Sequence, residues 1–171
     1  VMVTRSLVTE LRESVLSVVT EPDESASVVL IGFDTENTSE KIRNTCIMLG
    51  RDVVYLATNP DLVCPVPFGY VPDCGSICQM ITNATGQVPH YIGKPSTDMV
   101  DIALRENPFS KEETVIVGDR FYTDIACGNA SGVETVLVLT GEAKKTDTMI
   151  HTYSPTYIFD SIKEVKKAWK N

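Results

Sequence analysis

The chain has 171 residues, of which 43% are hydrophobic and 22% are charged, and its formal net charge is −8 at pH 7. This composition is typical of a globular protein that buries a core. The acidic balance excludes nucleic acid as the expected partner, since nucleic-acid-binding proteins normally carry a basic face, and no apolar run approaches the ~20 residues of a membrane span.

Short apolar runs alternate along the chain with segments of helical periodicity. The first half is predicted to contain the strands Val15–Val19, Val28–Phe33, Val53–Ala57 and Tyr91–Ile92 and the helices Ser39–Leu49 and Asp73–Thr85. The second half is predicted to contain the helices Ser96–Glu106, Phe121–Ala130 and Ser161–Trp169 and the strands Thr114–Val117, Thr135–Leu139 and Tyr157–Phe159. This alternation predicts an α/β fold with a largely parallel sheet. The expected domain boundary lies near Gly93–Lys94, which separates residues 1–92 from residues 93–171.

The five cysteines are odd in number and irregularly spaced. Cys74 and Cys78 are four residues apart, which is a helical spacing rather than that of a zinc site. Reduced cysteines in a cytoplasmic protein are therefore expected.

The strongest candidate for chemistry is the segment from Thr114 to Gly128. Its strand delivers Asp119 at the carboxyl end, where open α/β sheets bind ligands, and Gly118 permits a sharp turn there. Asp124 follows five residues later and can fold back toward Asp119. Two crowded carboxylates favour a hard cation such as Mg²⁺. The residues alone leave a second interpretation open, in which Asp119 caps a turn and Asp124 caps a helix.

A second candidate is Lys94, in the loop Gly93-Lys94-Pro95-Ser96 just before a predicted helix. Ser96 is suited to be the N-cap of that helix. A lysine at this position can pair with a phosphate and with a carboxylate, although a loop lysine by itself is more often a solvated surface residue.

Together, the G-K-P loop and the later h-h-h-G-D-x-x-x-x-D pattern resemble motifs three and four of the haloacid dehalogenase superfamily. Residues 57–61 and 69–75 resemble the cap of its NagD-type branch, and residues 136–141 resemble the strand after motif four. Asp73 departs from the small residue usual in the cap loop. The resemblance implies a Rossmannoid parallel sheet, incomplete here, with an α/β cap over residues 1–92 and the C-terminal half of the core over residues 93–171.

The resemblance also implies a Mg²⁺-dependent phosphohydrolase of small phosphate monoesters that acts through a phospho-aspartate. By position, Lys94 would hold the phosphate and the nucleophile, Asp119 would bind the metal directly, and Asp124 would orient metal-bound water or Lys94. Thr58, Asn59 and Asp61 would line the cap face over the substrate. Charge neutralisation by the metal and the lysine is most of the catalytic task in phosphoryl transfer.

The family's nucleophile motif and second motif should precede the cap, and in this alignment they have no counterpart. We therefore expect a truncated form with little activity alone. One alternative is a capless enzyme in which Asp34 is the nucleophile and Thr58 ends the second motif. Another is a non-catalytic binding or regulatory protein that retains the fold. The G-K-P loop disfavours a third, a receiver-like or flavodoxin-like domain.

A missing first-motif strand would leave Thr114–Val117 at an open sheet edge. Such an edge tends to pair with another chain. The expected partners are thus a small phosphate ester and either a second copy of this chain or a separate N-terminal segment.

Overall fold

The computed structural model describes residues 1–169, and the chain divides into two compact units, Val1–Gly93 and a second that begins at Lys94. Each unit has its own parallel sheet and its own apolar clusters, as expected for the predicted α/β class. Within residues 1–169 there is no helix with the length and apolarity needed to cross a bilayer.

The first unit is built on a parallel three-stranded sheet of order β1-β2-β5. The strands are β1 (Val28–Ile31), β2 (Val54–Ala57) and, later in the chain, β5 (His90–Tyr91). The helices are α1 (Arg5–Glu13), α2 (Ser39–Leu49) and α3 (Cys74–Thr85). Alternate residues of β1 and β2 are buried in one cluster with apolar residues of α2 and α3, which is the period expected of strands packed on one face.

A two-stranded antiparallel hairpin, β3 (Val63–Val66) and β4 (Gly69–Pro72), lies between β2 and α3 and was not predicted. Prolines at positions 65 and 72 argue against strands in a larger sheet, but a two-stranded hairpin has two outer edges that tolerate them. Gly69 has a φ of 136°, which only glycine adopts readily, and this allows the chain to reverse.

The second unit contains a parallel sheet of order β6-β7-β8, made of β6 (Val115–Gly118), β7 (Glu134–Val138) and β8 (Tyr157–Phe159). Its α-helices are α4 (Asp98–Glu106), α5 (Ala126–Ser131), α6 (Met149–Tyr153) and α7 (Ile162–Ala168). A 3₁₀ turn, Lys111–Glu113, precedes β6, and a π-helical segment, Phe121–Ile125, follows it. Among the described strands, β6 pairs only with β7, so its other edge is open.

The prediction of a strand at Val15–Val19 was wrong. The segment follows α1 as irregular chain, and Val15, at a φ of 65°, is 93% exposed. Its carbonyl groups find no strand partner, and the guanidinium of Arg12 donates to the Val18 carbonyl oxygen instead. The helix α1 before it was missed, although Thr4 caps it by accepting the Leu7 N–H at 3.4 Å.

Candidate active site

The strand β6 ends at Gly118, and Asp119 extends from its carboxyl end as predicted. At Gly118 the backbone passes close to the side chain of Asp124. A Cβ at Gly118 would overlap the carboxyl group of Asp124, so the glycine makes room for that carboxylate. Asp124 therefore lies against the residue that precedes Asp119.

A π-helical turn returns Asp124 to the strand end. The Ile125 N–H donates to the carbonyl of Arg120 five residues earlier, at 3.2 Å. The Asp124 side chain then accepts the Arg120 N–H through Oδ2 at 3.1 Å. The sequence predicted an α-helix from Phe121, but the wider turn replaces its beginning. Such turns are frequent at functional sites because they reposition a side chain without ending the helix.

Lys94 reaches the same place from the start of the second unit. Its Nζ lies 2.6 Å from Asp124 Oδ1, and the lysine side chain is 48% exposed while that of Asp124 is 7% exposed. A short charge-assisted bond of this kind is stronger than a neutral hydrogen bond. Lys94, Asp119 and Asp124 thus lie at one strand end, where the Lys94 side chain is half-exposed.

The loop that carries Lys94 differs in detail from the prediction. The Lys94–Pro95 peptide bond is cis. The helix α4 begins at Asp98 with Thr97 as its N-cap residue, not Ser96. The Ser96 hydroxyl still accepts the Asp98 N–H, at 3.3 Å, and donates to the Asp98 carboxylate at 2.6 Å.

The carboxylate of Asp119 has a partner that the sequence did not reveal. Its Oδ2 accepts the backbone N–H of Glu142 at 2.8 Å, and its own carbonyl accepts the N–H of Ala143 at 3.0 Å. Gly141 passes so close that a Cβ there would overlap the Asp119 carboxylate. The only sequence signal for this contact was Gly141 after a buried strand.

The carboxylates of Asp119 and Asp124 can supply some, but not all, of the oxygen ligands that a hard cation needs. Carboxylate oxygens are the ligands that Mg²⁺ prefers, and Asp119 presents one at the open end of a parallel sheet. Over residues 1–169, no three His, Cys, Asp or Glu side chains converge as a ligand group. Asp119 and Asp124 would therefore need oxygens from water, substrate or other groups to complete an octahedral shell.

The predicted cap residues form a turn after β2, within the first unit. Asn59 Oδ1 accepts the Asp61 N–H at 3.0 Å, and the Asp61 carbonyl accepts the N–H of Gly75 at 2.8 Å. The half-buried Thr58 lies against Gly32 and Gly93. The three side chains therefore occupy one turn, held against the start of α3.

Asp34, the nucleophile of the capless alternative, is held in an ion pair with Lys41. Its side chain is fully buried, its Oδ2 lies 2.7 Å from Lys41 Nζ, and its Oδ1 accepts the Glu36 N–H at 2.9 Å. The strand before it, β1, belongs to the β1-β2-β5 sheet and does not join the sheet that contains β6. In a capless enzyme both strands would share one sheet, so among the described residues that arrangement is not found.

A pair of buried thiols lies beside the predicted cap turn. Cys74 and Cys78, one turn apart on α3, have their sulfurs 4.0 Å apart. The hydrogen bond between the two thiols, with smaller contributions from Asn59 and Thr58, lowers the pKa of Cys74 to about 6 and raises the pKa of Cys78. All five cysteines are free thiols.

Comparison with protein families gives a match over residues 91–165 to a family described as HAD-hydrolase-like. Dihydroxyacetone phosphatase of Corynebacterium glutamicum is 33% identical over 147 residues, which are 86% of this chain and 54% of that protein. Ribonucleotide monophosphatase NagD of Escherichia coli is 33% identical over 143 residues, which are 84% of this chain and 56% of that protein. The chain thus spans about half the length of these curated relatives.

Among solved structures, a p-nitrophenyl phosphatase from Archaeoglobus fulgidus matches with a TM-score of 0.87 and 32% identity. The match covers 98% of this chain and 66% of that protein. It includes both compact units, since it leaves out almost none of the chain.

Proposed function

Because this chain belongs to the NagD-type branch of the haloacid dehalogenase superfamily, we propose that it forms part of a Mg²⁺-dependent phosphohydrolase of small phosphate monoesters. The observation that carries the proposal is the 2.6 Å contact between Lys94 and Asp124 at the strand end from which Asp119 extends. It assembles a cation and two carboxylates where parallel sheets bind ligands.

The three residues have separable tasks in this proposal. Asp124 is buried and holds the Lys94 ammonium through Oδ1, so that the half-exposed lysine faces solvent in one orientation. The ammonium binds the phosphoryl oxygens and the nucleophilic carboxylate. Asp119 is the direct ligand of Mg²⁺, which, when bound, neutralises charge on the transferring phosphoryl group.

The reaction proceeds, in this proposal, through a phospho-aspartate on a carboxylate other than Asp119 and Asp124. The first unit, as a cap, selects the substrate through the turn that contains Thr58, Asn59 and Asp61. The relatives named above act on dihydroxyacetone phosphate and on ribonucleotide monophosphates by their names, and we propose a small monoester of the same kind here. A cytoplasmic location accords with the five free thiols.

Binding measurements test the site independently of turnover. In the wild-type chain, Mn²⁺ as a paramagnetic substitute should broaden the backbone resonances near Asp119, and inorganic phosphate should shift those near Lys94. Asp119→Asn should abolish the broadening, and Lys94→Met should abolish the phosphate shift. Glu164→Gln is the matched control, since Glu164 is an acidic residue of the same unit whose exposed ion pair with Lys167 lies in α7.

Two outcomes would contradict the proposal. Wild-type chain that shows neither effect at millimolar ligand has no such site, and equal broadening in Asp119→Asn would remove Asp119 from it. Hydrolysis of nitrophenyl phosphate with and without Mg²⁺ adds a second measurement. The assay can be repeated with the part of a relative that this chain does not cover added as a separate fragment. If the ligands bind but no hydrolysis occurs even then, the non-catalytic alternative is favoured.

The open edge of β6 is the basis for a proposed partner. Val117 is 40% exposed, and among the described strands only β7 pairs with β6. Exposed edges of this kind recruit strands, so we expect pairing with a second copy or with a separate N-terminal segment. Light scattering tests this, and a monomer at high concentration that also fails to bind such a segment would argue against it.

A further inference from the structure

The segment from Gly141 to Ala143 encloses Asp119 on one side. The Glu142 N–H binds Asp119 Oδ2 at 2.8 Å and the Ala143 N–H binds the Asp119 carbonyl at 3.0 Å, while Gly141 leaves no space for a side chain. One carboxylate oxygen is thereby occupied by a backbone donor. The rotamer of Asp119 is restricted, and a cation would approach through Oδ1.

The side chain of Glu142 ties this segment to the loop after β6. Glu142 Oε2 lies 2.9 Å from Arg120 Nε, and Glu142 Oε1 accepts the Tyr122 hydroxyl at 2.8 Å. Both partners belong to the stretch that begins with Asp119. The segment is therefore attached to that stretch twice, through the backbone at Asp119 and through the carboxylate at Arg120 and Tyr122.

The contacts of Glu142 with Arg120 and Tyr122 should contribute little to the free energy of unfolding. The side chains of Arg120 and Glu142 are 36% and 48% exposed, and ion pairs so accessible to solvent have small effects on unfolding. Their importance lies in their location, because they fix Glu142, whose backbone N–H binds the Asp119 carboxylate.

We propose that Glu142 is a positioning residue for Asp119. Its carboxylate, held by Arg120 and Tyr122, keeps its own backbone N–H on Asp119 Oδ2 and so presents Oδ1 to the cation. The significance for cation binding rests on the function proposed above, whereas the positioning of Asp119 is independent of that function.

Amide hydrogen exchange in the whole chain tests the positioning directly. Glu142→Ala removes both side-chain contacts, so the amides at positions 142 and 143 should exchange at least about fivefold faster after correction for intrinsic rates. Glu142→Gln keeps one acceptor oxygen for Arg120 and can turn its NH2 group to donate to the Tyr122 hydroxyl, so it should retain part of the protection. Glu164→Ala is the matched control, because it breaks an exposed 2.8 Å pair with Lys167 in the same unit.

A Mn²⁺ titration followed by water proton relaxation gives the second measurement. Glu142→Ala should weaken Mn²⁺ binding by about tenfold, as loss of groups that orient a metal ligand commonly does. Glu142→Gln should lose less affinity than Glu142→Ala, and Glu164→Ala should not change it. A purely structural role would alter the melting temperature without this selective loss.

Unchanged exchange at positions 142 and 143 in Glu142→Ala, relative to Glu164→Ala, would overturn the proposal. If the wild-type chain binds no Mn²⁺, the metal part of the proposed function fails, yet amide exchange still decides whether Glu142 positions Asp119. Should Glu142→Ala fail to fold, Tyr122→Phe, which removes the 2.8 Å contact to Glu142 Oε1, should speed exchange at positions 142 and 143 relative to Glu164→Ala, and no such increase would overturn the proposal.

Discussion

Replacement of Lys94 by methionine should destabilise the second unit more than its position in a loop suggests. Methionine has a similar length but carries no charge. The change leaves the carboxylate of Asp124, which is 7% exposed, without its cationic partner, although it still accepts the Arg120 N–H. A buried charge without its partner is costly, because the protein interior solvates it poorly.

The structure bounds the magnitude of this effect. Removal of one partner from a fully buried pair costs about 3–5 kcal/mol, and removal of a surface pair costs about 0–1 kcal/mol. Asp124 is buried but Lys94 is half-exposed, so about 2 kcal/mol is expected, in the range of a hydrogen bond to a charged group. Asp124→Asn should cost less, about 1 kcal/mol, because the lysine that remains can turn to solvent.

Urea denaturation followed by the fluorescence of Trp169 measures this effect, since Trp169 is the single tryptophan and lies in the second unit. The double variant Lys94→Met/Asp124→Asn should be about as stable as Asp124→Asn alone, which would demonstrate coupling. Lys167→Met is the control, since it breaks an exposed pair with Glu164. If Lys94→Met costs no more than Lys167→Met, the Asp124 carboxylate does not depend electrostatically on Lys94.

Three further predictions concern the first unit. Gly75→Ala should lower its thermal stability by about 1–3 kcal/mol in circular dichroism melts, because a Cβ would overlap the Pro60 carbonyl, and an unchanged melt would contradict this close packing. Cys74 has a folded pKa of about 6 against an ordinary 9.0. Between these values the folded state binds fewer protons than the unfolded state, so the free energy of unfolding should rise with pH and lose this contribution below about pH 6. Cys74→Ala should lack that rise in urea titrations across the same window, and equal slopes would show that Cys74 is not the cause. Asp34→Asn should reduce stability and leave Mn²⁺ binding intact, whereas weakened binding would support the capless arrangement.

Much of the secondary structure follows from local patterns. The helix over Ser39–Leu49 and the strand over Tyr157–Phe159 agree with the predicted bounds, and the α3 prediction differs by one residue at its start. Apolar spacing, caps and terminal glycines are local signals, so a single sequence carries them. Val15–Val19 shows the limit of such signals, because a β-branched run becomes a strand only when another strand accepts its hydrogen bonds.

The candidate site shows the same division between local and distant information. Lys94, Asp119 and Asp124 could be proposed as site residues because their spacing and neighbours match a known pattern. Their contact could not be measured from that pattern, since it depends on a π-helical turn that brings Asp124 back against Gly118. Glu142 was missed because it acts through a backbone N–H, which every residue except proline possesses.

By itself, the sequence determined the α/β class, the family resemblance and the strand end at which the charged residues gather. These depend on the order of apolar runs and on a few polar residues at strand ends. The tertiary structure alone decided that β1 and β6 belong to different sheets, that Asp34 is paired with Lys41, and that Glu142 reaches Asp119. Such contacts join residues distant along the chain, and their formation depends on packing and hydrogen-bond partners that no local pattern specifies.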